Sequence, residues 1–180
     1  DETHAAYHAE SRMALGDEDE FTAGLAAADF DGDGDLDLFV ANGRHWPQQD
    51  EVWFNSGGGV FVEVAPVGKR KATAYGACPG DYDNDGDIDM VVARDQLAPV
   101  LYINDGHGDF SGETEFGRAG PARDCASADF DGDGRLDVAL SARGASGYVV
   151  YGPMAKKPGK RYDLAEGFMV GVAAGDLDGD

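Results

Sequence analysis

The sequence is poor in positive charge: 14 Lys and Arg stand against 35 Asp and Glu, a net charge of −21. A nucleic-acid partner needs a basic footprint, and an anionic membrane surface would repel such a chain, so both partners are excluded. No run of about 18 apolar residues occurs, which excludes a membrane-spanning helix and leaves no membrane insertion to consider. Cysteine is nearly absent. With only Cys78 and Cys125 there is at most one bridge, so this is no disulfide scaffold. An initiating Met and an apolar leader are missing, and residue 1 reads as a processed or trimmed start. Catalytic signatures are missing too: the chain contains no Gly-x-Ser-x-Gly elbow, no P-loop and no His-Glu-x-x-His. The expectation is therefore a non-enzyme. Helical periodicity is absent except for a hint at residues 3–14, where His4 and His8 stand four apart and read as a chance pair.

What is present is apolar and glycine-rich. Hydrophobic residues make up 42% of the chain, enough to bury a core and to argue against wholesale disorder. Glycine numbers 27 of 180, well above the usual share of about 7%. Gly and Asp enriched together indicate tight turns, metal loops, or both.

Self-comparison shows where the acidity lies. Residues 28–41 read ADFDGDGDLDLFVA, 80–93 read GDYDNDGDIDMVVA, 128–141 read ADFDGDGRLDVALS, and 175–180 read GDLDGD. The first Asp of each copy is Asp29, Asp81, Asp129 and Asp176, at steps of 52, 48 and 47 residues. Seventeen acidic residues sit in these loops, and without them the net charge falls from −21 to −4. Such clustering costs considerable repulsion unless a cation lies among the carboxylates.

Oxygen-only donors with no His or Cys point to a hard cation, and a dense carboxylate loop suits Ca²⁺, which takes six to eight oxygens. The expected side-chain ligands in the first copy are Asp29, Asp31, Asp33 and Asp37. Position 35 would give its backbone carbonyl, which is why Asp35 and Asp87 can be replaced by Arg135 in the third copy. The matching sets are Asp81, Asp83, Asp85 and Asp89, then Asp129, Asp131, Asp133 and Asp137. Asp176, Asp178 and Asp180 open a fourth, incomplete site. Gly34, Gly86 and Gly134 follow the third Asp, where the chain must turn sharply. An EF-hand is excluded because its twelfth position should be Glu, and here it is Val40, Val92 and Leu140.

Short runs of small residues precede the loops: Ala26 to Ala28, Cys78 to Gly80, Ala126 to Ala128, and Ala173 to Gly175. Matched small side chains imply a crowded place, such as strands converging near an axis. Apolar runs follow the loops, at Leu36 to Val40, Ile88 to Val92 and Leu136 to Leu140, and suit strands covered on both faces. Third strands are expected at Val52 to Phe54, Val100 to Ile103 and Tyr148 to Tyr151. Turns at Asn55–Gly59 and Asn104–Gly108 lead to fourth strands at Val60 to Val64 and around Phe110. The unit is four antiparallel strands in about 48 residues, which describes a propeller blade. A single blade cannot cover its own apolar faces, so neighbours must stack on it. The fold class is all-β, with about three and a half blades: an N-terminal segment 1–20, blades at 21–65, 66–116 and 117–166, and the start of a fourth at 167–180.

The loops together with DLDLFVAN, VWFNSGGGVF and LYINDGHGDF resemble the FG-GAP repeats, also called VCBS repeats, over about residues 20–180. That resemblance implies an integrin-type β-propeller, usually seven-bladed, with Ca²⁺ in its loops and an extracellular, cell-surface or periplasmic setting. Seven blades of this size need roughly 340 residues, so the rest of the ring is expected from a longer chain or from a second copy. A basic insert, Pro153 to Arg161, departs from the repeat in blade three.

The expected role is binding, adhesion or assembly, with a protein or glycan ligand. The alternatives are the propeller of a carbohydrate-active enzyme (a lyase or dehydratase) and a lectin-like glycan module, for which Trp53, Tyr102 and Val149 match only loosely between units. The candidate contact is the long connection Asn42 to Asp50, carrying Arg44, His45 and Trp46, since Trp and Arg are typical anchors; the bland reading tucks Trp46 under the blade. His107 reads as a solvated turn residue. Leu136-Asp137-Val138 looks like an integrin-ligand tripeptide, but its Asp is a metal ligand and its neighbours are core. Cys78 and Cys125 sit one register position apart in adjacent inner strands. Free buried thiols are expected there, with a disulfide as the alternative.

Overall fold

The computed structural model describes residues 21–153, 159–164, 167 and 169–176. These form three four-stranded antiparallel sheets, each in simple up-and-down order. The first holds β1 (Thr22–Ala28), β2 (Asp37–Asn42), β3 (Gln48–Asn55) and β4 (Phe61–Ala72). The second holds β5 (Ala74–Gly80), β6 (Asp89–Arg94), β7 (Val100–Ile103) and β8 (Gly112–Glu115). The third holds β9 (Ala122–Ala128), β10 (Asp137–Ala142), β11 (Tyr148–Val150) and β12 (Arg161–Asp163). The all-β, four-strand unit read from the repeat is what forms. The hint of helix at residues 3–14, with His4 and His8, lies outside the described residues.

Burial explains the sequence of each strand. β6 and β10 are buried at every position, as their unbroken apolar runs require, and β2 nearly so. The fourth strands are the outer ones: β12 is exposed throughout and β4 over most of its length. Along β6 the side chains alternate between two cores. Met90 and Val92 join Phe30, Phe39, Val52, Val100 and Tyr102 between sheets one and two. Val91 and Ala93 join Leu101, Val138, Leu140 and Tyr148 between sheets two and three. Sheet two thus buries an apolar face against each of its two neighbours, as a stacked repeat must.

The first strands of the sheets run close together, β5 packing on both β1 and β9. A Cβ on Gly24 would meet the Tyr75 carbonyl oxygen at 2.7 Å, and one on Gly76 would meet the Asp124 Cα at 2.8 Å. The crowding expected from small residues is therefore real, and it is tightest two residues ahead of the Ala runs. Segment 169–176 continues the series without a regular strand, and the Val172 amide donates to Asp124 Oδ2 at 3.1 Å.

Several details depart from expectation. β4 runs on to Ala72, seven residues past the unit edge drawn at 65, because it pairs with β3 along its whole length. The fourth strand of sheet two is Gly112–Glu115; Phe110 instead enters an aromatic cluster, 5.6 Å from Phe30 and 6.0 Å from Phe39. Cys78 and Cys125 are not free thiols but form a disulfide, Cα–Cα 6.0 Å, joining β5 to β9.

Candidate metal centres

Each Asp loop joins the first and second strands of its sheet and is held by its own carboxylates. Asp29 accepts the amides of Gly32 (2.8 Å) and Gly34 (3.1 Å). Asp81 accepts from Asp85 (3.2 Å) and Gly86 (3.0 Å). Asp129 accepts from Gly132 (2.7 Å), Asp133 (3.1 Å) and Gly134 (2.8 Å). Gly34, Gly86 and Gly134 have φ of 95°, 101° and 81°, the left-handed region that a side chain disfavours.

These turns bring carboxylates together three times. Donor oxygens of Asp29, Asp31 and Asp33 lie within 4.8 Å of one another, as do those of Asp81, Asp83 and Asp85, and those of Asp129, Asp131 and Asp137. Electrostatics records the crowding. Desolvation, then the surrounding carboxylates, raises the pKa of Asp31, Asp83 and Asp131 above the usual range. The Gly134 amide, chief among several backbone donors, holds Asp129 below it. Asp83 Oδ1 is buried and has no hydrogen-bond partner. A buried, unpaired carboxylate oxygen beside two further carboxylates fits a hard cation, which supplies what no N–H there does.

The remaining expected ligands divide. Asp37, Asp89 and Asp137 are fully buried and serve as clamps beneath the loops. Asp37 accepts the amides of Phe30 (2.9 Å) and Asn55 (2.8 Å). Asp89 accepts those of Tyr82 (3.0 Å) and Asn104 (2.9 Å), and Asp137 those of Phe130 and Gly152, both at 2.8 Å. Burial pushes Asp89 up to about 7. Only Asp137 also joins its cluster; Asp37 and Asp89 lie outside theirs. Asp133 lies outside the third, turned towards Arg135 at 3.7 Å. The side chains of Asp35 and Asp87 are outside the clusters, consistent with a backbone role at that position. Asp176 is exposed, and Asp178 and Asp180 lie outside the described residues.

Two partners were missed from sequence. Asn55 and Asn104 end the third strands, donate their amides to the clamp Asp, and use their side chains to bond Leu36 and Ile88 carbonyls, each at 3.1 Å. Their matched placement after VWF and LYI was the available signal, but it reads equally well as turn chemistry.

Arg44, His45 and Trp46 sit at the far end of β2, about 20 Å from its Asp loop for a strand of this length. Trp46 is 68% exposed and does not tuck under the sheet. Arg44 and His45 line a cavity of about 610 Å³. His107 stays in its turn, its amide bonded to Asp105.

A sequence model of the FG-GAP-like repeat matches residues 29–92 and again 81–140, well over half the chain. No curated protein matches the chain.

Proposed function

The chain belongs to the FG-GAP-like repeat family, and from that premise we propose that it is a calcium-stabilised segment of a β-propeller that acts outside the cell as a recognition module. The observation that carries the metal reading is the threefold recurrence of a carboxylate cluster at one place in the repeat, one of them with a buried oxygen lacking any partner. Asp29, Asp31 and Asp33, then Asp81, Asp83 and Asp85, and then Asp129, Asp131 and Asp137, would hold Ca²⁺. The ion would offset part of the loop charge and lock the connection between first and second strands. Propeller geometry is supported by the close run of β1, β5 and β9 and by apolar contacts between neighbouring sheets. The disulfide supports an oxidising compartment. Among the described residues no helix is long and apolar enough to cross a membrane.

Thermal melts with Ca²⁺ and with EGTA test the reading. A ligand bound only by the folded state raises its stability, by about 2.7 kcal/mol at a hundred times the dissociation constant. The melting temperature is expected to rise with added Ca²⁺ and to fall on chelation. An unchanged melting temperature overturns the metal role.

A further inference from the structure

We propose that the cavity at the end of the sheets remote from the Asp loops is a binding site for a small carboxylate-bearing ligand. At about 610 Å³ it falls in the range that small-molecule sites occupy. One register position of the repeat builds it. Ala23, Tyr75, Arg123 and Val170 each stand six residues before the first Asp of their own copy, so four successive repeats contribute a side chain. Arg44 and His45 from the β2–β3 connection and Arg143 after β10 complete the lining.

The charge is opposite in sign to that of the molecule. A chain of net −21 places three of its 14 Lys and Arg around this one hole, with a histidine beside them. Among the described residues, two carboxylates beside the lining are engaged. Asp95 pairs with Arg123 at 3.1 Å, and Asp124 accepts the amides of Cys125 (3.0 Å) and Val172 (3.1 Å). The Arg44 and Arg143 guanidinium groups have no such partner among the described residues. The Arg123 guanidinium lies over the Tyr75 ring, 4.1 Å from its centroid. The Tyr75 hydroxyl donates to the Arg44 carbonyl, and the Arg143 amide donates to the Pro121 carbonyl, so the backbones that carry the cations are tied down. Guanidinium forks match the paired oxygens of a carboxylate, and a neutral ligand would gain nothing from their charge.

This inference rests on the reading of the chain as a recognition module but not on its metal. If Ca²⁺ shifts the melt and anions do not bind, only the present proposal fails. The test is titration of the Ca²⁺-loaded protein with succinate, a uronic-acid disaccharide, a Glu-Glu dipeptide and a neutral disaccharide, followed by amide NMR shifts. Saturable shifts at Ala23, Tyr75 and Gly171 are expected with succinate and with at least one of the two larger acids. Whichever of those binds more tightly identifies sugar or peptide as the source of the carboxylate. Arg44→Gln and Arg143→Gln should each weaken binding by about tenfold, the scale of a lost charged hydrogen bond. Lys69→Gln, on the exposed outer strand β4, should leave it unchanged. Absence of saturable shifts, equal binding of the neutral disaccharide, or full binding by Arg143→Gln would overturn the proposal.

Discussion

Asp50 lies buried in β3, accepting the Asn42 amide at 3.0 Å and the Tyr102 hydroxyl at 3.3 Å. Burial pushes its carboxyl up to about 7, the two hydrogen bonds only partly opposing the shift. An unfolded aspartate releases its proton near 3.8. Between those values the folded chain binds more protons than the unfolded one, so stability falls as pH rises across that window. Denaturant unfolding at pH 5 and pH 8 should show the loss, no more than about 4 kcal/mol for a shift of this size. Asp50→Asn should remove its share of that dependence and leave the share of Asp89, which burial also holds near 7. Asp89 offers a different test, because both of its oxygens take backbone amides. An asparagine there turns an NH₂ towards one of them and leaves a buried donor unpaired, at a cost of about 1–3 kcal/mol. Asp89→Asn is expected to lose that much stability even in EGTA, which separates clamping from metal binding.

At the scale of elements, what joins one sheet to the next matters most. The Cys78–Cys125 bridge ties the first strand of sheet two to that of sheet three across a separation of 47 residues. Closing a loop of that length in the unfolded chain is worth about 4 kcal/mol on the chain-entropy account. The double variant Cys78→Ala, Cys125→Ala should therefore unfold at lower denaturant, with a loss of about 2–4 kcal/mol. The Asp loops should be left intact, read as an unchanged Ca²⁺-induced shift in the melt. The four-strand order of every sheet was legible in the sequence, because apolar runs alternate with Gly-Asn turns at a constant period. The ends of the outer strands were not. β4 has few buried positions to mark where it stops, and Phe110 is apolar for a core contact made outside any strand.

The whole molecule is a strongly acidic body whose charge is concentrated in its loops, while three of its nine arginines line one cavity at the other end of the sheets. Salt should act accordingly. In EGTA the loop carboxylates repel one another, and raising NaCl from about 0.05 to 0.5 M shortens the screening length from roughly 14 to 4 Å. The melting temperature is expected to rise with salt in EGTA and to change much less in saturating Ca²⁺. Equal slopes in the two melts would show that the loop charge is not what the ion relieves.

By itself the sequence determined the repeat, the four-strand unit and the residues able to form an acidic cluster, because each of these is set by local spacing: a period of two along a strand, alternate aspartates around a turn, glycine where φ is positive. Only the tertiary structure decided that Cys78 and Cys125 are bonded, that the last Asp of each loop clamps two backbone segments, and that Tyr75, Arg123 and Arg143 meet Arg44 around one cavity. Those outcomes depend on how one sheet lies against the next, and that relation arises from packing between residues about fifty apart, which no local pattern records.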